Sequence, residues 1–181
     1  GVIAGATLAP IAAGIAYSRF AVDHTAPLPF AIEADRRMFR SPMAGQISYY
    51  ADTSVDGRPL ALIHSINAAA SAYEMRPLFD YFRGRRPVYA LDLPGFGFSN
   101  RSDRVYSPDL YATAILDLLH EIHAEEHGGA DIVALSLGGE FAARAAHHQP
   151  DMLHTLTLIS PTGLSGRART GRGSPSTRSV L

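Results

Sequence analysis

Apolar residues follow two alternating rhythms along this chain. Short apolar runs at Leu60–His64, Val88–Leu93, Ala130–Leu135 and Leu153–Ser160 have the length of strands, and Leu60–His64 reads as a buried one. Between them the spacing changes to that of a helix. Ala70–Phe82 carries Tyr73, Leu78, Phe79 and Phe82 at helical intervals. Pro108–His123 is the clearest helix: Ser107 can cap it, Pro108 suits its first turn, and Leu110, Ala114, Ile115, Leu118 and Leu119 make one stripe. Gly128-Gly129 closes that region, and Gly139–His148 forms a last helix. Ahead of these elements Gln46–Ala51 is a β-rich run, followed by a turn at Val55-Asp-Gly-Arg-Pro59. Strands separated by helices of this length predict an α/β protein whose mostly parallel sheet has helices on both faces.

The flanks differ from this core, which the pattern places at residues 46–164. Residues 1–20 are rich in Ala, Gly and Ile and carry no charge before Arg19. Residues 1–18 lie at the lower edge of the length of a membrane span, about 17–25 residues, while Pro10 and a merely moderate hydrophobicity speak against one. The expectation is a membrane-anchored or exported protein, with a cytoplasmic one as the alternative. Residues 21–45 read as a linker and lead-in, broken by Pro27 and Pro29. Residues 165–181 are small, polar and basic, a low-complexity tail or the start of a cap. Composition narrows the function classes. Sixteen basic residues against seventeen acidic ones exclude a strongly basic nucleic-acid binder, and the absence of cysteine excludes disulfides, thiolate nucleophiles and Cys-ligated zinc.

The stretch that carries chemistry is Asp131-Ile-Val-Ala-Leu-Ser136-Leu-Gly-Gly139. Ala134 and Gly138 stand two residues either side of Ser136, the small-x-Ser-x-Gly spacing of a nucleophile elbow. A serine held in a strained turn between strand and helix leaves no room for bulk at those positions. The Leu137 N–H would then open a helix N-terminus, where partial positive charge favours an oxyanion.

Two further segments join this one. In order, Leu62-Ile-His64-Ser65-Ile66-Asn67, Asp92-Leu-Pro-Gly95-Phe-Gly97-Phe-Ser99 and Ala134-Leu-Ser136-Leu-Gly138 resemble the α/β-hydrolase superfamily in its serine-nucleophile branch. The middle segment resembles that family's Asp-x-Pro-Gly-x-Gly-x-Ser loop. The similarity runs from about Gln46 to Leu164 and implies the N-terminal half of the α/β-hydrolase fold, with its C-terminal part missing. The resemblance assigns Ser136 as nucleophile, and Leu137 and Ile66 as oxyanion-hole amides. It makes His64, Ser65 and Asn67 the supporting loop. The family usually has His-Gly where this chain has His64-Ser65. His64 is expected to organise that loop rather than act as base, since the base follows the serine in chain order. The acid and histidine of the family's triad are not found, because no Asp, Glu or His occurs after His154.

The expected function is a serine hydrolase acting on an ester or similar acyl bond of a small-molecule substrate, in the complete protein. Residues 1–181 alone are expected to be inactive. The alternatives are a non-catalytic, membrane-tethered binding module, or an acyltransferase or carbon–carbon hydrolase of the same fold. No cofactor, metal or nucleic acid is expected. His120, His123 and His127 share one helical face, and with His147-His148 they read as solvated helix ends rather than metal ligands. Asp92 is expected to hold its loop, and Phe96 and Phe98 to line the site entrance or fill the core.

Overall fold

The computed structural model describes residues 13–15, 17–21 and 28–162. The chain divides into two units, residues 1–30 and 31–181. In the first, residues 13–15 and 17–21 are helical. Among the described residues no helix is long and apolar enough to cross a membrane. The expected anchor therefore has no support there, and most of residues 1–18 lies outside the described residues.

The second unit is built on one sheet. Its elements are β1 (Asp35–Ser41), β2 (Gly45–Asp52), β3 (Leu60–Ile63), α1 (Arg76–Phe82), β4 (Val88–Leu91), α2 (Pro108–Glu121), β5 (Ala130–Leu135), α3 (Gly138–His148) and β6 (Leu153–Ile159). The strand order is β1-β2-β4-β3-β5-β6. β1 and β2 form an antiparallel hairpin and β2 runs antiparallel to β4, while β4, β3, β5 and β6 are mutually parallel.

The core explains why the central strands are continuously apolar. On one face Leu60 and Leu62 of β3 and Val88 and Ala90 of β4 pack with Met75 and with Phe79 of α1. On the other, Ala61, Ile63, Leu91, Ile132 and Ala134 pack with Ile115 and Leu118 of α2 and with Phe141 and Ala142 of α3. A strand covered on both faces has no position left for a polar side chain. Each fully buried Leu or Ile contributes about 1.5–3 kcal/mol. Helices thus cover both faces of the sheet, as the alternation predicts.

Two elements depart from the sequence pattern. The stretch read as linker contains β1, whose residues Asp35, Arg37, Met38 and Arg40 are exposed. As an edge strand β1 needs pairing from β2 alone, and charge on such a strand discourages further pairing. The predicted helix over 70–82 is split. Ser71 Oγ accepts from the Tyr73 N–H and opens a 3-10 turn at Ala72–Met75, and α1 begins only at Arg76 with Pro77 in its first turn. Proline has no N–H to give and clashes with the carbonyl four residues back, so a continuous α-helix cannot run through it. Tyr73 is consequently exposed, while Met75 takes the buried position. At the far edge, β6 pairs with β5 alone among the described residues.

Candidate active site

Parallel strands β3, β4 and β5 deliver three loops to one end of the sheet. Ser136 follows β5 with φ at 51°, in the left-handed region that a side chain strains to occupy. Its backbone is held on both sides. The Ser136 N–H donates to the Ile159 carbonyl (2.8 Å), and its own carbonyl accepts from the Gly139 N–H (3.0 Å). The small neighbours now have a physical reason. Ala134 is fully buried beneath the turn, and a Cβ on Gly138 would overlap the carbonyl oxygen of His64. The elbow is therefore pressed against the end of β3.

His64 joins that end to the loop after β4. It is completely buried. Its Nε2 accepts the Leu93 N–H (3.0 Å), which assigns the proton to Nδ1, and Nδ1–H donates to the Ser65 carbonyl (2.5 Å). The Phe96 ring packs against the imidazole at a steep 71° angle, with ring centroids 5.4 Å apart. Burial lowers the imidazole pKa from 6.5 to about 4, against the opposing pulls of the Ser65 carbonyl and Glu74. Both ring nitrogens are engaged, so His64 serves as a neutral bracket.

The bracket has a consequence for stability. The folded-state pKa lies below the unfolded one, so at intermediate pH the unfolded chain binds a proton that the folded chain refuses. This contribution is complete above pH 6.5 and is lost as pH falls towards about 4. At about 1.36 kcal/mol per pH unit it amounts to roughly 3 kcal/mol. Urea unfolding between pH 7.5 and 4.5 should show this loss. A His64→Asn variant, weaker at neutral pH, should lack most of the slope.

The loop after β4 is held by Asp92. Its buried carboxylate accepts the Ala72 N–H (2.9 Å) and the Phe98 N–H (3.1 Å). Burial raises its pKa, and those two N–H groups oppose the rise. Ser99 Oγ donates to the Asp92 carbonyl (2.5 Å) and accepts the Ser48 N–H (2.9 Å). Gly97 sits at φ 51° directly against the carboxylate, where a Cβ would overlap it. Phe96 is half-buried against the core, and Phe98 lies under the Arg36 guanidinium at 4.4 Å.

Glu74 is the participant that sequence reasoning missed. From the 3-10 turn before α1 its carboxylate accepts the Ser65 N–H (2.8 Å), Ser65 Oγ (2.8 and 3.0 Å) and Asn67 Nδ2 (2.7 Å). Burial pushes its pKa up, but the hydrogen bonds from Ser65 and Asn67 outweigh that and hold it below the usual carboxylate range. The signal in the sequence was the serine where the family has glycine; nothing periodic linked it to Glu74.

Ser136 Oγ is hydrogen-bonded to no histidine or carboxylate among the described residues. The histidines that follow it, His147, His148 and His154, are exposed. His120 Nε2 pairs with Gln149 Oε1 (3.0 Å). Among the described residues no three His, Cys, Asp or Glu side chains gather where a metal ion could be held.

Comparison with known proteins bears on the fold and the family. A family model described as "Alpha/beta hydrolase family" matches residues 60–179. A 2-hydroxymuconate semialdehyde hydrolase from Pseudomonas sp. (strain CF600) is 31% identical over 111 residues, covering 60% of this chain and 38% of that protein. An esterase of Mycobacterium tuberculosis is 39% identical over 77 residues, 42% of this chain and 25% of that protein. Among solved structures, a meta-cleavage product hydrolase from Pseudomonas fluorescens superposes with a TM-score of 0.59 at 26% identity, covering 69% of this chain and 44% of that one. The matched stretches span less than half the length of each of these relatives.

Proposed function

The chain belongs to the α/β-hydrolase family, and from that premise we propose that it carries the nucleophile of a serine hydrolase acting on an ester or similar acyl bond of a small molecule. One observation carries the reading: Ser136 is held at φ 51° between β5 and α3. A serine is kept in a strained conformation where the strain presents its hydroxyl.

In the proposed reaction Ser136 Oγ attacks the carbonyl carbon and its proton passes to an imidazole. The carbonyl π electrons move to oxygen. That oxyanion is received by the Leu137 N–H, at the N-terminus of α3, and by the Ile66 N–H. Collapse expels the alcohol, which takes the proton, and water then adds to the acyl-serine and releases the acid. Hydrogen bonding supports these donors. The Ser65 N–H is already taken by Glu74, whereas Leu137 and Ile66 donate to no protein acceptor among the described residues. The imidazole and its carboxylate are proposed to lie beyond β6 in the full-length gene product.

Turnover of p-nitrophenyl acetate through octanoate by that gene product tests the reading, with 2-hydroxymuconate semialdehyde as a parallel substrate. Ester turnover is expected. Turnover of the semialdehyde alone would move the assignment to carbon–carbon bond hydrolysis, the alternative within the same fold. Inactivity on both would leave a binding module.

A further inference from the structure

We infer that Glu74 is the positioning residue of the oxyanion loop, a clamp that fixes Ser65 and Asn67 and thereby aims the Ile66 N–H between them. The inference rests on the proposed role of Ile66.

The geometry is that of one carboxylate closing a loop. Glu74 receives Ser65 N–H and Oγ with one end of its reach and Asn67 Nδ2 with the other. Asn67 Nδ2 also donates to Ser65 Oγ (2.9 Å), and Asn67 Oδ1 accepts the Ala69 N–H (3.0 Å). Residues on both sides of Ile66 are thus tied to the same group, while Ile66 itself stays half-buried against the core. The base of the clamp is rigid as well. Glu74 lies on a turn capped by Ser71 and anchored where Asp92 accepts the Ala72 N–H, with Met75 buried behind it.

This also explains Ser65. A glycine there would leave two of the carboxylate's hydrogen bonds unmade. The described non-glycine residues with positive φ are His123, Ser136 and Ser160, so Ser65 stands in the loop without backbone strain. The Glu74 charge is spent on donors of the loop, which limits its repulsion of an oxyanion nearby.

Reversing the polarity of the pair separates positioning from bulk stability. In Glu74→Gln the new amide NH2 faces the NH2 of Asn67, donor against donor. Adding Asn67→Asp restores a donor–acceptor pair and keeps the acceptor for the Ala69 N–H. In the full-length gene product, Glu74→Gln should lower kcat on a p-nitrophenyl ester roughly tenfold to a hundredfold with KM little changed, as a displaced catalytic group does. The Glu74→Gln/Asn67→Asp double variant should recover most of it. An unchanged kcat in the single variant, or no recovery in the double, overturns the inference. Hydrogen exchange at the Ser65 amide reads the clamp independently of activity. It should accelerate at least tenfold in Glu74→Gln and slow again in the double variant. Unchanged exchange overturns the clamp, whereas altered exchange in a protein that turns over no ester places the failure in the hydrolase reading instead.

Discussion

Replacing Gly138 by alanine should destabilise the folded chain by about 3 kcal/mol, the upper range for forcing extra volume into a packed site. The methyl group would enter the carbonyl oxygen of His64. That atom is backbone at the end of β3, and its residue's side chain is fixed at both ring nitrogens. Nothing there can rotate away. At about 2–4 °C per kcal/mol for a domain of this size, the melting temperature should fall by roughly 6–12 °C. Gly139→Ala is the matched control, with the same gain in helix propensity. Its Cβ would meet Leu158 Cδ2 at 3.1 Å, the tip of a side chain that can shift. Thermal unfolding by circular dichroism should separate the two variants clearly. Equal melting temperatures would mean that the elbow does not bear on β3.

Ser136→Ala should have the largest effect on activity, at least three orders of magnitude in kcat, since the proposed acyl intermediate forms on the Ser136 hydroxyl. Its fold should survive, because the Ser136 backbone keeps its bonds to Ile159 and Gly139. Ser136→Gly adds a second expectation. Holding a side chain in the left-handed region costs about 1–2 kcal/mol, and glycine adopts it without that penalty. Ser136→Gly should therefore be as inactive as Ser136→Ala and more thermostable than the wild type. A wild-type or lower melting temperature would deny that the elbow stores strain.

The parts legible in the sequence are those that repeat. β3, β4 and β5 are apolar because helices cover the sheet over them, and α2 shows its cap, its proline and its stripe together. The elbow was legible because its constraint is steric and local, so small residues at fixed offsets from Ser136 record it. β1 was not legible, since an edge strand with Arg36, Arg37 and Arg40 carries no hydrophobic period. The break before α1 was written in Ser71 and Pro77, but the apolar spacing of Leu78, Phe79 and Phe82 masked it. Least legible was the Glu74 clamp. It joins residues seven to nine positions apart through hydrogen bonds, and pairing of that kind leaves no periodic trace.

The central claim is that Ser136 is the nucleophile, and covalent trapping tests it most directly. The full-length gene product would be treated with a fluorophosphonate, digested and sequenced by mass spectrometry. The account predicts one adduct per chain, on Ser136, absent from Ser136→Ala and slowed in Glu74→Gln. Ester turnover by a protein whose adduct sits on another residue, or that forms none, would contradict it.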